Sequence, residues 1–66
     1  MKYWHVYYDK SAKQYKIALF DKSYLNHEDM PEMLVVFNVF DMAYQYISTL
    51  NGNVMSNVYS RWTVSR

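Results

Sequence analysis

The chain has 66 residues, a net charge of +1, no cysteine, and a 20% share of aromatic residues that includes eight tyrosines and two tryptophans. A chain near 60 residues buries only about 60% of the surface it exposes when unfolded. The missing cysteines exclude a disulfide staple and a thiolate metal site. The remaining routes to stability are a dense aromatic core and self-association.

Tyr3 to Tyr8 and Gln14 to Phe20 read as the two strands of a hairpin spanning residues 3–20. The short polar segment Asp9-Lys10-Ser11-Ala12-Lys13 joins them, and without glycine a loop built on a type I turn suits it best. A register pairing Tyr8 with Tyr15 sets Val6 opposite Ile17 and Trp4 opposite Leu19. That gathers Trp4, Val6, Tyr8, Tyr15, Ile17 and Leu19 on one face, read as the core side. Tyr3, His5, Tyr7, Lys16 and Ala18 then occupy the other face. Residues 21–32 form a polar connector whose apolar anchors are Tyr24, Leu25 and Met30. Pro31 biases Met30 toward an extended conformation. Ser23 or Asn26 could begin a short helical turn within the connector.

Residues 33–51 read as a strand running into a helix. Val35, Val36, Phe37, Val39 and Phe40 are β-branched or aromatic and suit a pleated, packed surface. After Asn38 the period changes, because Phe40, Ala43, Ile47 and Leu50 follow one helical face. The spacing predicts a helix over residues 39–51, with Asn38 as N-cap, Asp41 near the positive end and Gly52 as the left-handed residue that stops it. The rival is one helix from Pro31 to Asn51, which would be apolar on nearly every side between Met33 and Phe40. Beyond Gly52, Val58, Ser60, Trp62 and Val64 alternate with Tyr59, Arg61 and Thr63, which predicts a closing strand over residues 57–64. The expected fold is therefore α+β, in the order β-β-β-α-β, one domain over residues 1–66. An antiparallel or mixed sheet of three to four strands carries one helix on one face. The expected core is Trp4, Val6, Ile17, Leu19, Val36, Phe40, Ala43, Ile47, Leu50 and Trp62.

The charges are segregated. Residues 1–22 hold five lysines against two aspartates, residues 23–60 hold Glu28, Asp29, Glu32 and Asp41 with no cation, and Arg61 and Arg66 follow. Such asymmetry steers partners and leaves the fold undetermined. His27, Glu28, Asp29 and Glu32 crowd together, but their spacing fits neither a two-histidine zinc helix nor a glycine-bent calcium loop. They read as a solvated acidic loop. His5 lacks a positioned acid or nucleophile. The serines stand outside any nucleophile context, and one glycine cannot build a phosphate loop. No catalytic residue, cofactor or metal is expected, and the chain reads as a non-enzyme.

The candidate binding surface is the outer sheet face of Tyr3, His5, Tyr7, Lys16, Tyr59 and Arg61. Aromatics and cations suit a protein contact, including a homodimer face. They also suit a stacking platform for single-stranded nucleic acid, though the acidic middle would repel a phosphate backbone. Glu28, Asp29 and Glu32 form an alternative acidic contact surface. The longest apolar run has five residues, far below the ~20 needed for a membrane span. The N-terminus lacks a signal core, so the expectation is a cytoplasmic protein.

Phe37, Phe40-Asp41, Ala43, Tyr46-Ile47 and Leu50 resemble the strand-to-helix passage of small stand-alone proteins of bacteriophages and mobile elements. The likeness covers about a third of the chain. It implies an accessory protein or an inhibitor of a host protein or defence complex.

Overall fold

The computed structural model describes residues 2–59. Two strands, β1 (Tyr3–Asp9) and β2 (Gln14–Phe20), form the expected hairpin, and β3 (Met33–Phe37) is followed by the helix α1 (Phe40–Leu50). The sheet order is β2-β1-β3 with both pairings antiparallel. Tyr8 faces Tyr15, Val6 faces Ile17 and Trp4 faces Leu19, which is the register that the alternation implies. The hairpin loop is closed by Asp9, whose Oδ1 accepts the Ser11 amide at 2.9 Å and the Ala12 amide at 3.1 Å. Lys13 completes it at a φ of +56°, a conformation usually left to glycine or asparagine.

Both faces of the sheet are covered. On one side α1 packs Ala43 and Ile47 onto Val6 and Ile17, and Val58 joins them. Trp4, Tyr15, Val35, Phe37 and Phe40 line the margin of this cluster, half-buried. On the other side the connector lies across the sheet, with Tyr24 and Met30 packed among Tyr7, Ala18, Phe20 and Met33. Three turns spaced three residues apart hold the connector down. His27 N–H donates to the Tyr24 carbonyl, Met30 N–H to that of His27, and Met33 N–H to that of Met30. Asn26 takes a φ of +61° within it, and the Lys22 ammonium sits 5.0 Å from the centre of the Tyr24 ring.

A bulge decides which side each residue of β3 serves. Val6 faces Val35 but Tyr7 faces Met33, leaving Leu34 as the extra residue. An extra residue shifts the side-chain alternation by one. Met33 and Val36 therefore both serve the connector face, opposite Tyr7 and His5, while Val35 and Phe37 serve the helix face. This corrects the placement of Val36, which is half-buried opposite His5 rather than beneath the helix.

The helix begins after Val39, whose extended backbone acts as N-cap without a side-chain hydrogen bond. Asn38 does not cap it. Asp41 does lie in the first turn, where its charge favours the positive helix end. At the other end Gly52 has a φ of +62°. Its N–H donates to the Thr49 carbonyl, and the Asn53 N–H reaches the Ser48 carbonyl at 2.8 Å. These two bonds make a Schellman termination. Leu50 is 45% exposed instead of buried. Trp62 and most of the expected closing strand lie outside the described residues. Before them, Ile17 N–H donates to the Val58 carbonyl at 2.8 Å and Tyr59 makes an isolated parallel bridge to Ile17.

Asn51 does two jobs. It is the C-cap of α1, and its side-chain amide seals the outer edge of β2. Tyr15 N–H donates to Asn51 Oδ1 at 2.9 Å, and Asn51 Nδ2 donates to the Tyr15 carbonyl at 3.0 Å. The amide thus mimics one residue of a neighbouring strand.

Ile47→Ala should lower stability by ~2–5 kcal/mol, the usual cost of truncating a fully buried large aliphatic residue. For so small a domain that removes most of the folded population, and a thermal melt reads it directly. Asn51→Ala removes both bonds to the β2 edge and should cost about 1–3 kcal/mol. Urea titration is the check, with an unchanged m-value expected.

Candidate functional site

The outer sheet face foreseen as a binding surface is mostly interior. His5 is fully buried and Tyr7 is 8% exposed, both beneath the connector. Tyr3 is half-buried. Lys16 holds the carboxylate of Asp9 at 3.1 Å. The Ala12 amide first, then the Lys16 ammonium and the Ser11 amide, keep the Asp9 carboxyl below its usual range. Tyr59 is 53% exposed, but its ring lies 6.1 Å from that of Trp4, a residue packed against the helix-side cluster. Tyr59 therefore does not share a platform with His5 and Tyr7. Arg61 lies outside the described residues. The physical reason for this correction is the apolar supply of the connector. Tyr24 and Met30 fill the face that alternation alone leaves open to water.

His5 is the polar centre of that buried face. Its Nδ1–H donates to the Tyr3 carbonyl at 3.0 Å, and its Nε2 accepts the Tyr24 N–H at 2.9 Å. These partners define the neutral ring with the proton on Nδ1. The ring meets Phe20 edge-on at 4.8 Å and lies 6.0 Å from Tyr24. Burial pushes the His5 pKa below its ordinary value of 6.5, against the smaller opposing effect of the Tyr3 carbonyl. The arrangement uses both ring nitrogens to tie the connector to β1, and leaves neither for proton transfer or metal binding.

The acidic residues of the alternative surface remain accessible. Glu28 and Asp29 are exposed on the connector turns, and Glu32 is half-buried before β3. His27 Nδ1 accepts the Asp29 N–H at 3.1 Å and stands 3.8 Å from its carboxylate. Among the described residues no group of three or more histidine, cysteine, aspartate or glutamate side chains is placed to hold a metal ion. An open hollow of about 390 Å³ lies between Tyr8, Lys13, Gln14, Tyr15, Leu50 and Val54. The half-buried Asn51 amide that lines it is already spent on Tyr15. No helix among the described residues is long and apolar enough to cross a membrane.

The surface that the sequence reading missed is the outer edge of β3 with the adjoining side of α1. Leu34 is 52% exposed, Val39 51%, Met42 56% and Tyr46 43%. The Tyr46 ring lies 5.4 Å from that of Phe37, which brings this side of the helix against β3. Met42 is one turn earlier on the same helical stripe. Glu32 precedes the strand and Asp41 follows it. The signal in the sequence was the continuous apolar run Met33–Phe37, longer than one buried face can use.

No protein-family model matches this chain, and no curated protein or solved structure matches it at a significant level.

His5 makes stability depend on pH in a defined direction. Its folded pKa lies below its unfolded value, so the unfolded state binds the proton more readily. The contribution is fully present above the unfolded pKa of 6.5 and is lost as pH falls below it toward the depressed folded value. Urea unfolding between pH 8 and 5 should therefore show falling stability on acidification. His5→Leu should flatten that slope across this window, while costing stability at pH 8 through the unsatisfied Tyr24 amide.

Proposed function

We propose that this chain is a non-enzymatic binding protein that works by contact with another protein, as an accessory protein or as an inhibitor of a host protein or complex. The observation that carries this reading is the exposure of Leu34, Val39, Met42 and Tyr46 on β3, α1 and the residue between them. Small monomeric domains seldom leave much large apolar surface to water without a use for it. Aromatic and methionine side chains are also the types enriched in protein contacts. The acidic residues Glu28, Asp29, Glu32 and Asp41, with no lysine or arginine between residues 23 and 59, give this stretch of the chain one sign of charge. That sign suits a basic partner and opposes a phosphate backbone. The burial of His5 and Tyr7 weighs the same way, because a stacking platform for nucleic-acid bases needs accessible rings. A contact of this kind would occlude or modulate its partner rather than transform it.

The test is capture from a host lysate on the immobilised chain, with and without nuclease. A single protein retained after nuclease treatment is the expected result. Recovery of nucleic acid alone, lost on nuclease treatment, would overturn the reading. Met42→Asp should weaken the capture at least about tenfold, the loss typical of an apolar anchor at an interface centre. Its melting temperature should stay near that of the parent chain, since Met42 is exposed.

A further inference from the structure

The two edges of the sheet are treated differently. On β2 the Tyr15 N–H and C=O are both taken by the Asn51 side chain. The Ile17 N–H is taken by the Val58 carbonyl. That edge is closed at its centre.

The same bonds fix the direction of every backbone group across the sheet. In an antiparallel strand, the N–H and C=O of one residue point to the same side, and neighbouring residues alternate. Ile17 points away from β1, so its opposite number Val6 points toward β3, where it meets Val35. Val36, next along β3, must then point outward. Among the described residues no backbone partner reaches it. The β3 edge is protected by its short length and by the bulge at Leu34, but no lysine or proline lies within the strand.

The surroundings say what could occupy this edge. On the helix side it is flanked by Tyr46 against Phe37, with Met42 one turn away. Both Tyr46 and Met42 offer exposed apolar surface. Glu32 stands immediately before it, and Glu28 and Asp29 lie in the connector that leads to it. A second copy would bring its own Glu32 to the same edge. A strand from a basic partner would meet opposite charge there instead.

We propose that the β3 edge is a docking site for an extended, lysine- or arginine-rich segment of a partner protein, which adds as a fourth strand centred on Val36. Main-chain bonds to Val36 supply affinity, and alternate side chains of the incoming strand meet Tyr46 and Met42. This rests on the protein-contact reading above and names its mode.

The full chain, labelled with ¹⁵N, is titrated with an alternating lysine–valine decapeptide and with a glutamate–valine decapeptide of the same pattern. The expected result is that the lysine peptide alone binds, slows amide exchange at Val36 and shifts the amides of Leu34 and Asn38. Val36→Pro removes the outward donor and leaves the pairing with β1 intact. It should weaken binding about five- to tenfold, the loss of one backbone hydrogen bond. Leu34→Lys keeps the whole backbone and should weaken it through like charge, so the outcome does not hang on the proline variant folding. No binding by the lysine peptide, equal binding by both peptides, or shifts centred on Tyr15 would overturn the proposal. So would protection of Val36 that rises with chain concentration alone, which would assign the edge to a second copy. If the protein captured from lysate is held equally well by Val36→Pro and Leu34→Lys, strand addition is overturned while protein contact stands. Loss of that capture in Glu28→Lys with Asp29→Lys alone would move the contact to the connector.

Discussion

The hydrogen bond from the Tyr24 amide to His5 Nε2 is what allows a mostly polar connector of twelve residues to cover one face of the sheet. A sheet of three strands with one helix has a second face, and a domain this small cannot leave it wet. The connector, rich in acidic residues, has little apolar surface with which to hold itself down. It invests two side chains, Tyr24 and Met30, and one buried polar bond that fixes where they land. The neutral imidazole suits the task because one ring both donates and accepts. Its Nδ1–H is anchored on its own strand at the Tyr3 carbonyl, and its Nε2 is turned to the connector. An amide buried without such an acceptor would cost about 1–3 kcal/mol, a large share of what the packing around it returns.

The same economy appears at the helix end. The chain uses asparagine and its single glycine at four of the five described positions where the backbone turns left-handed. Asn26, Asn53 and Asn57 all take positive φ, alongside Gly52 and Lys13. Asn51, between the helix and its Schellman turn, carries an amide that finishes the β2 edge. The termination of α1 and the closure of the sheet are therefore one event. Misplacing Gly52 by one residue would withdraw Asn51 from Tyr15.

Much of the architecture was legible in local pattern. The hairpin register followed from the alternation of Trp4, Val6 and Tyr8 against Tyr15, Ile17 and Leu19. The change of period after Asn38 located α1 to within a residue at each end. What escaped was long-range. Nothing near Tyr24 announces that its amide will find His5 nineteen positions away, so His5, Tyr3 and Tyr7 looked like an open aromatic face. The bulge at Leu34 was equally silent, and it brings Met33 to the same face as Val36. The runs Ile17–Phe20 and Met33–Phe37 did carry a warning. Strands apolar on consecutive positions are buried on both faces, and a second cover had to come from somewhere. The segment between β2 and β3 was the longest one left over.

Both sheet faces are occupied, and the β2 edge is closed at Tyr15 and Ile17, whereas among the described residues no backbone partner reaches Val36 on the β3 edge. The protein has committed its one edge-sealing amide, Asn51, to the opposite side of the sheet. It has left Leu34, Val39, Met42 and Tyr46 in water, although burying them would stabilise a domain that has little to spare. Apolar surface held in reserve at an open strand edge carries a risk of aggregation. The bulge reduces that risk, and Glu32 beside the strand sets like charge against a second copy of it. The same carboxylate would favour a basic strand, so the charge that restrains self-pairing is the one that the proposed docking would use.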